Sequence, residues 1–406
     1  MALEIFPIFL FVWGTLGETV DYTSNLVFDP LFYVQTNYDL QLHHLTSPSA
    51  ARTHWLDYGI DEGRQACGSF HSKQYIERYP DIKIAFGATG YREAIGHFIR
   101  FQASEARLGY KEGGLDGRWT ISNGNGLYLS ASERMAGAVD SLVWNHKEFI
   151  NAYDHGRELQ MAINTDTFGE CYNPTEAGGR DDGNTMGTKS RSQWVHVAGN
   201  VLQSEVLPSY WLRAESTQSH SSGGNCTRGS PALNTNDYYH YPMSKRVTIG
   251  CGGMQNCIEF ISNFTIGGRW PEGFGYMQME SPTGYLAGDF TEKYSFNPET
   301  NQMIPYANNP HLPVALATTD GNYAMGAYAP GEQDTDVPMT YWAINFPSGQ
   351  WNAATNKWNI VFRKHRQEDP GPHSFVYRAY FCVGTLSDVR TCLATLHGNG
   401  ETLPVG

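Results

Sequence analysis

The chain has little of what marks a nucleotide enzyme, a metalloprotein or a nucleic-acid binder. Basic residues are outnumbered, 28 Lys and Arg against 41 Asp and Glu, and no run of five carboxylates occurs. The net charge of −13 is therefore spread over a solvated acidic surface. Such a field disfavours a phosphate backbone, so no nucleic acid is expected as partner. No EF-hand loop and no zinc-type His/Cys spacing occurs, and neither metal nor cofactor is expected. Glycine-rich phosphate loops, a G-x-S-x-G elbow and the alternation of strands with crossover helices are all missing. That argues against nucleotide enzymes and α/β-hydrolases. Past residue 118 no stretch shows helical periodicity beyond two turns, and past the N-terminus no apolar run approaches 18 residues. A membrane span is therefore not expected in the mature chain.

What is present begins with 406 residues, more than one core usually covers, so two domains are expected. Apolar residues make up 40% and aromatics 13%, enough for packed cores. Ile5 to Leu16 is an apolar run of signal-peptide length, although Glu4 replaces the usual basic residue. Residues 1–18 are read as a cleaved signal and the protein as secreted. Two sequons, at Asn225 and Asn263, fit a secreted glycoprotein.

Seven cysteines in an oxidising compartment leave one unpaired. Cys382 and Cys392 are expected to close a hairpin or turn. Cys251 and Cys257 are expected to close a tight loop, with Cys226 competing for that pair. Cys67 is the first candidate for the odd thiol. The connectivity stays open.

Residues 22–109 contain a tandem repeat, with units 28–64 and 70–107. "FDPLFYVQTNYDL" is echoed by "FHSKQYIERYPDI", so that Phe28, Tyr33 and Asp39 recur 42 positions on as Phe70, Tyr75 and Asp81. "HWLDYGIDEGR" is echoed by "HFIRFQASEAR", so that His54, Glu62 and Arg64 recur 43 positions on as His97, Glu105 and Arg107. Each unit reads as two short helices, with Pro at a helix start, a Ser cap and a Gly stop. The unit resembles a Tyr-Pro-Asp-Leu … His-Trp/Phe … Gly-x-x-Glu-Gly-Arg repeat of secreted bacterial and marine-invertebrate proteins. The first copy has Tyr38 before its Asp, and the second has lost both closing glycines. The resemblance implies an accessory or adhesion role.

Residues 110–118 read as a Gly-rich linker. From 119 to 397, short alternating or β-branched runs recur every ten to twenty residues between turn signals, the pattern of a large antiparallel β-sandwich. Residues 398–406 are a tail. The fold class is thus mainly β, with a small N-terminal α-helical repeat domain. The opening of the β region, "GAVDSLVWNHKEFINAYDHGREL", carries Gly137, Ala138, Ser141, Leu142, Asn145, Lys147, Glu148 and Phe149. It resembles the first hairpin of galactose-mutarotase-like proteins. That resemblance implies a β-supersandwich and a carbohydrate ligand, but the family's catalytic His and Glu have no counterpart that can be matched here.

"AYDHGRELQ" packs Asp154, His155, Arg157 and Glu158 into five positions. As a return strand it would set His155 and Arg157 on one face, about 7 Å apart. A His base beside a cation that holds a uronate is what lyases of acidic polysaccharides use. The following loop, "FGECYNPTEAGGRDDG", adds Glu170, Tyr172 and Glu176, with Tyr172 a second candidate base. Equally open is a structural reading, in which Arg157 pairs with a carboxylate and His155 donates to a backbone carbonyl. Two functions follow. One is a secreted carbohydrate-recognising β-sandwich, a lyase or hydrolase if it is an enzyme at all. The other is a non-enzymatic extracellular matrix component, such as that of an invertebrate skeleton or shell. The partner in either case is a polysaccharide or matrix glycan.

Overall fold

The computed structural model describes residues 19–399 apart from 112, 223, 268–272, 274, 332, 347–351 and 366–370. The signal reading (1–18) and nearly all of the tail reading fall outside the described residues. Among those residues, no helix is long and apolar enough to cross a membrane.

Two antiparallel sheets face each other as a sandwich. The main path of the first sheet, in spatial order, is Arg118–Ser122, Leu127–Ser132, Val139–Trp144, Leu159–Thr165, Tyr276–Ala287, Thr355–His365 and Val337–Phe346. The second sheet has nine strands, with Met254–Ile266 and His373–Gly384 among its central ones and Arg191–Ala198 at one edge. Strand 201–207 shows the period-two logic: Leu202, Ser204 and Val206 turn inward and their neighbours outward. The two inner faces merge into one core that includes Leu142, Met161, Phe260, Trp358 and Phe381.

Between the layers lies one buried ion pair. Lys245, from the second sheet, meets Glu176, which follows a short strand on the first. Both side chains are wholly buried. The ammonium also donates to Gly137 O (2.8 Å) and Ser204 Oγ (2.7 Å), and the second Glu176 oxygen accepts from Met161 N (2.9 Å). Each donor of the ammonium is thus used, as a buried charge requires.

The helices are more numerous than the two per unit expected. Unit one holds α1 (Pro30–Thr36), α2 (Tyr38–Leu42) and α3 (Pro48–His54), the last running on into a π turn, Trp55–Gly59. Unit two holds α4 (Ser72–Arg78), α5 (Pro80–Phe86) and α6 (Tyr91–Glu105). Asp29 caps α1 by accepting from Phe32 N, and Ser47 caps α3 by accepting from Ala50 N. Proline stands at the first turn of α1, α3 and α5, where its missing N–H costs nothing. The two units make the same contacts. Tyr33 and His54 Nδ1 bond at 3.0 Å, as do Tyr75 and His97 Nδ1. Arg64 is clasped by Asp39 and Glu62, and Arg107 by Asp81 and Glu105. Gly59 is needed in the first unit, because a Cβ there would sit 2.0 Å from the Tyr33 hydroxyl. In the second unit Ala106 takes the left-handed conformation (φ +51°) that Gly63 (φ +66°) occupies in the first.

The helices dock on the first sheet. Arg118 forks onto Asp140 at 3.0 and 2.9 Å, with its guanidinium over the Phe32 ring. Gln35 Oε1 accepts from Ala152 N, and Gln74 binds the backbone of Lys111, Leu115 and Arg118 across the segment read as a linker. Gly68 makes the closest approach. A Cβ there would lie 2.2 Å from Ser141 Oγ. Ser141 in turn donates to Glu148, whose carboxylate also accepts from Leu142 N and Ile150 N. That network is the physical content of the Ser-Leu … Lys-Glu hairpin motif.

Two expectations fail. Residues 154–158 are a turn, and the strand begins only at Leu159, so His155 and Arg157 do not share a strand face. Gly156, at φ +84° and against Trp211, bends the chain there. The β region also ends in a 13-residue helix, α7 (Leu386–Gly398). Its Thr385/Asp388 capping box and its buried Val389, Leu393 and Leu396 are a helical signal that eleven preceding β-type runs masked. Cys382–Cys392 joins this helix to a strand rather than closing a hairpin. Cys251 bonds Cys257, Cys226 bonds Cys171, and Cys67 is free and buried. Asn225 is exposed in a loop; Asn263 lies on a strand of the second sheet, half-buried, accepting from Ser374 Oγ.

Replacing Glu176 by Gln strands a buried ammonium and should lower stability by about 3–5 kcal/mol in denaturant unfolding. The double variant Lys245→Met/Glu176→Leu should recover most of that loss. Ala106→Gly should raise stability by about 0.5–1 kcal/mol in the same assay, since it relieves a left-handed alanine.

Candidate functional site

The five residues singled out from the sequence are held by structural partners. His155 is wholly buried, with Nδ1 and Nε2 each 3.0 Å from a backbone carbonyl, of Ala177 and Thr185. Burial, and secondarily the nearby Arg134, hold its pKa below the usual imidazole value. Arg157 pairs with Asp154 at 3.0 Å and donates to Ala353 O at 2.9 Å. Glu176 belongs to the Lys245 pair. Tyr172 sits on a 3-10 turn, 9% exposed, its hydroxyl accepting from Tyr210. Burial raises its pKa, with the Tyr210 hydroxyl opposing. Glu170, on the same turn, bonds Gln218 beside the Cys171–Cys226 bond and lies 3.7 Å from His220. Glu170 and Tyr172 are therefore neighbours in one loop, and His155 touches the carbonyl just after Glu176. Neither His155 nor Glu176 presents an atom to open space. Glu158 is also wholly buried, and neither of its carboxyl oxygens has a hydrogen-bond partner. Burial drives its pKa well above the ordinary carboxylate value.

Open space lies elsewhere. A cleft of about 460 Å³ separates the helical units from the first sheet. Asn37, Gln65 and His71 come from the helical side, and Arg118, Arg134 and Gly187 from the sheet side. Arg134 is fixed by three backbone carbonyls, those of Ala152, Tyr153 and Thr185. Gln65 donates to Cys67 O. His71 is 6% exposed, and its buried Nδ1 has no hydrogen-bond partner. Desolvation lowers its pKa to about 4, so the ring is neutral at physiological pH. With Nδ1 buried, the neutral ring can offer the cleft one hydrogen bond, through Nε2. Asp116 and Glu133 also line it, so the wall as a whole offers amide, imidazole, guanidinium and carboxylate groups, a set suited to a hydroxylated ligand. Its volume lies within the ~300–1,000 Å³ range of small-ligand sites.

Sequence reasoning passed over this cleft. His71 opens α4, Arg118 opens the first strand and Arg134 lies in a turn, and no spacing links positions 71, 118 and 134. The Arg118–Asp140 fork was equally invisible, because it depends on how neighbouring strands are registered.

No family model matches the chain, and no curated protein matches it. Several solved structures are similar at low scores. A heparan sulfate lyase mutant from Pedobacter heparinus is 12% identical, with a TM-score of 0.36. The match covers 85% of this chain and 48% of that one, so the chain spans about half the lyase's length. A putative aldose 1-epimerase from Klebsiella pneumoniae subsp. pneumoniae is 10% identical, at TM-score 0.32, over 68% of this chain and 83% of that one. A 4-alpha-glucanotransferase from Thermococcus litoralis is 8% identical, at TM-score 0.32, over 88% and 51%. At these scores none bears on what the chain does.

His71 generates a pH signature. Its folded pKa, about 4, lies below the ordinary 6.5, so the unfolded chain binds the extra proton between those values. Stability should fall as pH drops through that window. Relative to His71→Gln, the wild type should lose on the order of 3 kcal/mol between pH 6.5 and 4 and nothing further above 6.5, read by denaturant midpoints.

Proposed function

We propose that the chain is an extracellular, carbohydrate-binding β-sandwich protein that holds its glycan without cleaving it. The observation that carries this reading is the polar cleft at the junction of helices and sheet, with the neutral His71 in its wall. Four of the five residues proposed for lyase chemistry are spent on burial and pairing: His155 on two carbonyls, Arg157 on Asp154, Glu176 on Lys245, and Tyr172 on Tyr210. A base that abstracts a proton must reach the substrate, and His155 is sealed from it. Three disulfides support an oxidising, extracellular setting, as does the apolar segment at 5–16. A role in an extracellular matrix follows naturally, because such a protein needs adhesion and durability rather than turnover.

The test is a titration of the secreted protein with neutral and uronate oligosaccharides, with unsaturated products followed by ultraviolet absorbance. Binding without product is expected. Gly187→Trp fills the cleft mouth at a position where a side chain meets open space, and it should abolish that binding while leaving the unfolding midpoint unchanged. Unsaturated product would restore the lyase reading. Binding that Gly187→Trp leaves intact would remove the cleft from the account.

A further inference from the structure

Ten large apolar side chains stand exposed among the described residues, and four of them are on the helical units. Those four form two matched pairs. Leu42 and Ile84 are 42 positions apart, and Tyr58 and Phe101 are 43 apart, the same offsets that relate the two units. A single exposed apolar residue is ordinary. Exposed large apolar side chains at equivalent positions in both units, from 38% at Phe101 to 86% at Ile84, are not explained by either unit's own core.

The surroundings of the two rings are also alike. Tyr58 lies 5.4 Å from the His54 ring, and Phe101 lies 4.9 Å from the His97 ring. Each His is steadied by a tyrosine hydroxyl at Nδ1, Tyr33 in one unit and Tyr75 in the other. Beside each His is an arginine clasped between two carboxylates. Asp39, Glu62 and Asp81 keep between 45% and 48% of their side chains in solvent. Each unit therefore offers one flat apolar ring bordered by planar polar groups whose orientation is already fixed. A pyranose fits that pattern, with a C–H face to lie on the ring and a rim of hydroxyls for carboxylate and guanidinium. Two carboxylates against one guanidinium leave each spot net negative, which disfavours uronates and sulfated glycans. A ligand that meets two copies of one site is best served by being a repeat itself.

We infer that Tyr58 and Phe101 are two equivalent contact points for a neutral polysaccharide. The inference shares only the ligand class with the proposed function, since both rings lie outside the junction cleft.

The experiment uses the full-length protein with four probes: laminarin, microcrystalline cellulose, chitin and alginate. Binding is read by affinity electrophoresis or by depletion from solution. At least one neutral polymer should bind, and more tightly than alginate. Tyr58→Ala and Phe101→Ala should each weaken that binding about tenfold or more, by similar amounts, and the double variant should lose the polymer. Tyr58 is 59% and Phe101 38% exposed, so Tyr58→Ala should cost about 0.5 kcal/mol or less in unfolding and Phe101→Ala about 1–2 kcal/mol, each leaving the chain folded. Gly187→Trp should leave polymer binding by the rings in place. If that variant loses the polymer and the double ring variant does not, the cleft reading stands and this inference fails. The reverse pattern upholds the rings, and the cleft is then judged by the oligosaccharide titration alone. Failure of all three neutral polymers to bind overturns the inference, as does a preference for alginate. So does a double variant that loses self-association in place of glycan, since that would make a second copy of the chain the occupant.

Discussion

The Lys245–Glu176 pair is the constraint around which the sandwich is arranged. A charge buried between two sheets tolerates only one register of the layers, because a slip of one residue turns every side chain to the other face. Gly137, Ser204 and Met161 each give the pair a hydrogen bond, and they come from both layers. The pair is therefore weak evidence of stability and stronger evidence of uniqueness. An apolar substitute would fill the same space without saying how the two sheets must face.

The helical units are coupled to this arrangement through the first strands. Arg118 stands between Asp140 in the sheet and Phe32 in the helices, and Gly68 lies directly on the Ser141–Glu148 network. Arg118 also lines the cleft between helices and sheet. Its walls belong to different elements, but each wall is pinned: Arg134 to three carbonyls, Gln65 to Cys67 O, and Asn37 to Tyr33 O. A ligand entering it would meet groups already in place, which lowers the entropic cost of binding.

Much of the fold was legible in the sequence, and the reasons are local. Alternating runs with turn residues between them report a half-buried sheet directly, and the sandwich of two antiparallel sheets is what they form. Residues 42 and 43 positions apart make matching Tyr–His and Arg–carboxylate contacts. The candidate site was much less legible. In "AYDHGRELQ", charge density drew attention to a turn whose residues are spent on buried contacts, since Gly156 bends the chain just where a strand would have to run. His71, Arg118 and Arg134 gave no local signal, because only tertiary packing brings them to one cleft. Helix α7 was masked for a related reason: its Leu and Val spacing lies directly after a strand with a similar composition. Its capping box was the one clear mark of a boundary.

Cys67 has a consequence of its own. Its thiol is buried where the helical units meet the sheet, donates to Leu26 O, and has its pKa pushed up to about 11 by burial. The thiolate is the reactive form, so the folded protein withholds it twice, by access and by protonation. A thiol reagent can label this position only when the packed core of the helical units opens around it. The chain thus carries a native timer, one thiol whose rate of modification counts the openings of that core while the three disulfides hold the other six cysteines.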